Sequence, residues 1–270
     1  MKKIILYSLG LALLISCQKD KDGPANLPGD AQAVRLKDFT IPALPSPMYF
    51  LEYDNEGLIT RADHSSGEWS YVVGYKEKRI DYMRNVSPIN KDSFSYHYSN
   101  GRVDLITVYN LAGEQYRRCF IDYDNRGRLE NMEWERKSGP GFAADINISF
   151  SYHADNNLRQ RIYRRTGLQP GPGAAELIDT YSDYDSRPCG TGFTLLHEPS
   201  NPMVLLPAST LSLNNPRKLV RTGTGQHYEI VYSYQYNAQK LPIERNGVMT
   251  YLTGPEAGNS FNLKAFFSYY

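Results

Sequence analysis

A short unit recurs along the chain. A tyrosine closes an alternating stretch, a polar turn follows, and an aliphatic residue opens the next stretch. The unit occurs at Tyr53-Asp-Asn-Glu-Gly-Leu58, Tyr75-Lys-Glu-Lys-Arg-Ile80, Tyr98-Ser-Asn-Gly-Arg-Val103, Tyr123-Asp-Asn-Arg-Gly-Arg-Leu129, Tyr152-His-Ala-Asp-Asn-Asn-Leu158 and Tyr236-Asn-Ala-Gln-Lys-Leu241. A seventh, Tyr184-Asp185-Ser186-Arg187-Pro188, keeps the start and loses the aliphatic end. The first five tyrosines stand 22, 23, 25 and 29 residues apart. That interval holds two ordinary strands and two turns.

The flanks alternate. Leu51 and Tyr53, Trp69 to Tyr75, Phe94-Tyr96-Tyr98, Ile146-Ile148-Phe150-Tyr152 and Tyr228 to Tyr236 all carry the period of two of a strand with distinct faces. Asn, Asp and Gly in the turns suit tight reversals, with Gly57, Gly101 and Gly127 expected at positive φ. Tyrosine, at 22 of 270 residues, favours a pleated half-buried surface. The expected fold is all-β: one large curved antiparallel meander sheet or an open β-barrel built from repeated hairpins. In such a meander the repeat turns share one end. The other connections, at 64–68, 85–92, 110–115, 137–145 and 166–177, share the opposite end and lengthen along the chain. Segment 188–222, with Pro199, Pro202, Pro207 and Pro216, is expected to interrupt the meander and fold over it.

Residues 1–17 read as a lipoprotein signal. Lys2 and Lys3 precede an apolar run from Ile4 to Ile15, too short to span a bilayer. The run stops at Leu14-Ile15-Ser16-Cys17, which resembles a bacterial lipobox with Cys17 as the lipid attachment residue. Gln18-Lys19-Asp20-Lys21-Asp22-Gly23 resembles the surface-export signal of Bacteroidota lipoproteins. The stretch 18–46 reads as a flexible, Pro-bearing tether, and 47–270 as a single β-repeat domain. The expected location is the outer membrane or cell surface, with the membrane reached through the lipid.

Few residues suggest chemistry. Lys+Arg 30 against Asp+Glu 29 argues against a nucleic-acid partner held by phosphate contacts. Asp122-x-Asp124-x-Arg126-Gly127 with Glu133 follows a calcium-loop spacing, but Arg126 stands where an oxygen ligand is required. Glu133 and Glu135 share a strand face opposite Met132 and Trp134, which reads as a solvated outer face rather than a glycosidase pair. His64, His97, His153, His197 and His227 are scattered without zinc spacing. Arg159, Arg161 and Arg165 are expected on one face with Tyr163, as an anion site or as partners of acids such as Glu133 and Glu135. Cys119 and Cys189 could form a disulfide outside the cytoplasm, with free thiols, one of them buried, as the default. No cofactor or metal is expected.

The Tyr-Asp-x-x-Gly-x-Leu unit resembles the tyrosine-aspartate repeat of the Rhs class. The stretch 49–270 is similar to a family of Bacteroidota lipoproteins that carry a domain of unknown function with a porin-like fold. Leu211-Ser-Leu-Asn-Asn-Pro-Arg-Lys-Leu219 and Tyr232-Ser-Tyr-Gln-Tyr-Asn-Ala-Gln-Lys-Leu-Pro-Ile243 carry the C-terminal part of that resemblance. It implies a fold and no activity. The expected role is therefore non-enzymatic, binding a glycan or protein partner at the cell envelope. A surface hydrolase of polysaccharide or peptide is the alternative. A sheet wrapped round a lipid, a third reading, would need an apolar interior.

Overall fold

The computed structural model describes residues 34–42, 48–165, 176–197, 203–207 and 209–270. The signal, Cys17 and most of the tether lie outside the described residues. The first strands are β1 (Leu36–Thr40), β2 (Tyr49–Tyr53) and β3 (Ile59–His64). Next come β4 (Ser70–Lys76), β5 (Arg79–Asn85), β6 (Ser93–Ser99) and β7 (Arg102–Tyr109). The middle of the chain gives β8 (Gln115–Tyr123), β9 (Leu129–Ser138), β10 (Gly141–Tyr152), β11 (Leu158–Arg165) and β12 (Glu176–Pro188). A short pair follows, β13 (Phe193–Leu196) and β14 (Val204–Pro207). The last four are β15 (Asn214–Gly223), β16 (Tyr228–Tyr236), β17 (Pro242–Tyr251) and β18 (Ser260–Tyr269).

Sixteen of these form a closed antiparallel barrel, in which β12 pairs with β15 and β18 pairs with β1. The sheet is therefore a closed barrel and leaves no open edge. Two expectations are corrected. Strand β1 lies within the stretch read as tether, because Phe39 pairs with Phe267 of β18 and completes the ring. The segment after Pro188 does not fold over the sheet. Its hairpin β13–β14 enters the lumen, where Phe193, Leu196, Val204, Leu205 and Leu206 join the same core as Ile106, Trp134 and Ile148 of the wall. A run of apolar residues buried on both faces is what a strand inside a barrel requires.

Each recognised unit builds its hairpin in the same way. The register slips immediately before the unit's tyrosine, at Glu52/Tyr53, Gly74/Tyr75, His97/Tyr98, Asp122/Tyr123, Ser151/Tyr152 and Gln235/Tyr236. Each slip is a β-bulge, which adds twist where a ring of strands must curve. The tyrosine then donates its hydroxyl to a carbonyl on the preceding strand. Tyr53 reaches Leu36, Tyr75 reaches Ile59, Tyr98 reaches Ile80, Tyr152 reaches Leu129 and Tyr184 reaches Leu158, at 2.6–3.0 Å. Tyr269 of β18 does the same to Pro242 of β17 at 2.9 Å, so the series extends to the last strand. In the unit at Tyr236 the bond comes from Tyr234 to Pro216, and Tyr123 packs against the Arg102 guanidinium instead.

The two faces of the wall differ. Inward positions hold Tyr71, Met83, Phe94, Ile106, Met132, Trp134 and Ile148, all nearly inaccessible. Outward positions hold Glu52, Arg84, Asp104, Asp122, Glu130 and Arg164, all exposed. Ion pairs lace the outer face, at Arg118–Glu135, Arg164–Glu176, Lys218–Glu229 and Lys264–Glu244. This polarity is the reverse of a membrane-spanning barrel, which turns an apolar band outward and a polar face inward.

Candidate functional site

The repeat turns bind their own backbone. Asp54 Oδ1 accepts the amides of Glu56 and Leu58, and Asp124 Oδ1 accepts those of Arg126 and Arg128, each at 2.9 Å. Burial works to raise the Asp124 carboxyl, but hydrogen bonds from Arg128 and the amides hold it below the usual carboxylate range. The calcium-like spacing therefore encodes a turn. Gly57, Gly101 and Gly127 have φ of 86°, 80° and 76°, as the turns demand.

Glu133 and Glu135 lie on the outer face, where Glu135 pairs with Arg118. Their neighbours Met132 and Trp134 are 1% exposed, as the alternation implies. The arginine row does not keep one face. A bulge between Ser151 and Tyr152 turns Arg159 outward, while Arg161, Tyr163 and Arg165 point into the lumen. Arg161 does not meet Glu133 or Glu135, since β9 is not its neighbour. It pairs with Asp179 of β12 at 2.7 Å, and Arg221 of β15 reaches the same carboxylate at 2.6 Å. Asp179 is 2% exposed. Its burial favours the neutral acid, yet bonds from Arg221 and the charge of Arg161 hold its pKa below the ordinary value. Cys119 is buried and Cys189 half-buried, and both are free thiols.

Two histidines far apart in sequence meet where the end of β13 reaches the wall. The rings of His64 and His197 lie 4.6 Å apart, with Trp69 and Tyr49 against His197. Burial, with His64 beside it, pushes His197 down to about 4. No local spacing links these residues; the signal was the pair of short apolar stretches Phe193–Leu196 and Met203–Leu206, too hydrophobic for a surface loop.

Connections 86–92, 110–114 and 139–140 share the barrel end opposite Asn55, Asn100 and Asn125, as an antiparallel meander requires. The expected long loop at 137–145 is instead a tight reversal, because β9 and β10 extend to Ser138 and from Gly141. Those connections do not lengthen along the chain. The connection between β11 and β12 lies outside the described residues.

The hairpin fills only part of the lumen. Between it and the wall formed by β15–β18, β1 and β2 lies a cavity of about 320 Å³, lined by Phe39, Phe193, Leu195, Tyr234, Phe267 and Arg245 among others. Such a volume is at the small end of sites for drug-sized molecules. Farther along the same wall Phe261 and Leu263 share the inward face of Arg245 yet are 46% and 40% exposed, so the lumen beside the hairpin is open to solvent. Strand β16 turns Tyr228, Tyr232, Tyr234 and Tyr236 to this side, and Arg245 stands opposite Tyr234. Sequence reading found the tyrosine alternation on β16 but not Arg245, which carries no local motif.

No protein-family model matches the chain, and no curated protein is similar to it. Solved structures are. A porin-like protein from Bacteroides uniformis superposes with a TM-score of 0.57 at 12% identity, over 88% of this chain and 95% of that one. A porin-like protein from Bacteroides vulgatus gives 0.53 at 10% identity, over 88% of this chain and 99% of that one. The chain shares the barrel fold of these porin-like proteins.

Proposed function

We propose that the protein is a lipid-anchored, non-enzymatic component of the cell envelope that stands outside the bilayer and works by binding a glycan or protein partner. The observation that carries this reading is the polarity of the barrel. Charged residues face outward around the ring, and a packed hairpin occupies the lumen. An Arg or Lys on the lipid face of a spanning barrel costs about 2–4 kcal/mol at the bilayer midplane, so this wall does not belong in hydrocarbon. A hairpin packed within the lumen obstructs free diffusion through it. The lipobox-like Cys17 supplies the attachment that the wall does not, and two or more acyl chains anchor durably where one is marginal. Membership of the Bacteroidota lipoproteins, and kinship with tyrosine-aspartate repeats, are part of the same proposal. The turn aspartates and clipped tyrosines support them.

Cells expressing the protein with labelled fatty acid should incorporate label into the natural chain and not into Cys17→Ala. The chain from residue 18 onward should purify without detergent and give no conductance steps in planar bilayers. Label on the alanine variant would remove the anchor. A need for detergent, or channel activity, would show that the barrel is embedded after all.

A further inference from the structure

Among the polar side chains that line the lumen cavity, most already have protein partners. Tyr234 donates to the Pro216 carbonyl at 2.8 Å and Thr194 to the Ser209 carbonyl at 2.7 Å. Asn215 Nδ2 reaches the carbonyls of Arg187 and Pro188 at 3.1 and 3.2 Å, and Ser212 Oγ contacts Tyr184 Oη at 3.2 Å. The Cys189 thiol donates to the Ser212 carbonyl at 2.9 Å.

Arg245 differs. Its guanidinium lies 4.9 Å from the Tyr232 ring, 5.4 Å from Phe39 and 5.9 Å from Phe267. Among the described residues it has neither an ion pair nor a hydrogen bond to protein. The acids of the surrounding wall do not answer it. Glu244 of its own strand faces outward to Lys264, Asp179 of β12 is held by Arg161 and Arg221, and Asp185 of β12 accepts from Asn215 and Tyr236. Rings against a guanidinium stabilise its charge and leave its N–H groups unused. Those N–H groups form a planar fork that matches a carboxylate. The rest of the wall is mainly apolar, with Leu36, Phe193, Leu195 and Leu211 in it, and its polar side chains are those already partnered.

From this juxtaposition of one uncompensated, ring-boxed arginine and an apolar cavity beside the lumen hairpin, we infer that the lumen binds a small monocarboxylate with an apolar body, its carboxylate on Arg245. The negative head replaces the counter-charge that the wall lacks. The hydrocarbon part displaces water from Phe39, Phe193 and Phe267. This inference goes beyond the binding role proposed above, since its ligand is neither a glycan nor a protein. It stands on the cavity alone and needs neither the lipid anchor nor the outer face.

The test is calorimetric titration of the chain from residue 18 onward, in detergent-free buffer, with dodecanoate and with dodecanol. Dodecanoate should bind saturably at one site, at least about tenfold more tightly than dodecanol, a difference of about 1.4 kcal/mol. Arg245→Gln should reduce dodecanoate affinity by a similar factor, with thermal unfolding still cooperative, and should leave dodecanol binding unchanged. No saturable dodecanoate binding up to about 1 mM, equal affinity for the acid and the alcohol, or unaltered affinity in a folded Arg245→Gln chain would each overturn the inference. If Arg245→Gln does not fold, the acid-to-alcohol comparison on the natural chain decides. A failure here leaves the conductance and labelling experiments untouched, so the two readings fall separately.

Discussion

Lys240 occupies the turn position that glycine takes in several other repeat units, and it holds φ 65° there. A side chain with a Cβ pays about 1–2 kcal/mol in that region, while glycine gives back about 0.5–1 kcal/mol of that in lost chain entropy. Lys240→Gly should therefore stabilise the barrel by about 0.5 kcal/mol, measured by urea unfolding. Gly127→Val, at φ 76°, should destabilise it by about 1–2 kcal/mol. Destabilisation by Lys240→Gly, or no cost from Gly127→Val, would mean that the turns do not set the backbone. Residue types alone carried this much. The Asx-type turns and the positive-φ glycines were legible because their chemistry is local. Arg245, His64 and His197 were not, because their neighbours come from strands as much as two hundred residues away.

At the scale of the hairpin, the unit couples a bulge to a hydrogen bond. The extra residue sits on the strand after the turn, opposite the tyrosine, whose ring covers the seam to the preceding hairpin and whose hydroxyl reaches a carbonyl there. Burial pushes the Tyr98 phenol up to about 12, and those of Tyr75 and Tyr152 upward as well, so each remains a protonated donor at neutral pH. Removing one such donor leaves a carbonyl short of a partner, a loss of about 1–2 kcal/mol. Tyr152→Phe should show that loss in equilibrium unfolding. Tyr82→Phe should show none, since Tyr82 is 43% exposed and its hydroxyl makes no hydrogen bond among the described residues. The same cost at both sites would reduce the tyrosines to mere apolar cover. Strand faces were readable for Met132 and Trp134 because alternation there is unbroken. The face of Arg159 was not, because a bulge adds one residue without changing composition.

The whole molecule consists of repeated seams closed on themselves, and the last seam joins β18 to β1. The Tyr270 amide donates to the Arg35 carbonyl at 3.1 Å, so the two strands meet as neighbours elsewhere in the ring do. A circular permutant that joins Tyr270 to Arg35 through a short Gly/Ser linker, and opens between Asn100 and Gly101, should therefore keep the fold. Its melting temperature should stay within about 4 °C of the natural order, the shift expected for about 1 kcal/mol in a domain of this size. Loss of cooperative unfolding would show that the β18–β1 seam is unlike the others. Repetition revealed a barrel-like meander, but closure was not visible, since β1 sits in a Pro-bearing stretch with no repeat tyrosine and pairs with residues at the far side of the sequence.

The lumen hairpin occupies the chain between β12 and β15, ahead of the last four strands of the ring. This placement sets an order of assembly. Strands β2 to β12 can form a trough, the hairpin can settle into it, and β15 to β18 can then wrap across the open side. Nothing has to be threaded through a finished ring. The pairing of Phe39 with Phe267 comes last, across the longest separation in the barrel and at the highest cost in loop closure. Until it forms, the trough presents two bare strand edges, and either can capture the matching edge of a second copy. Dimerisation by exchange of terminal strands is thus the misstep to which this architecture is most exposed, and it is set by where in the chain the hairpin lies.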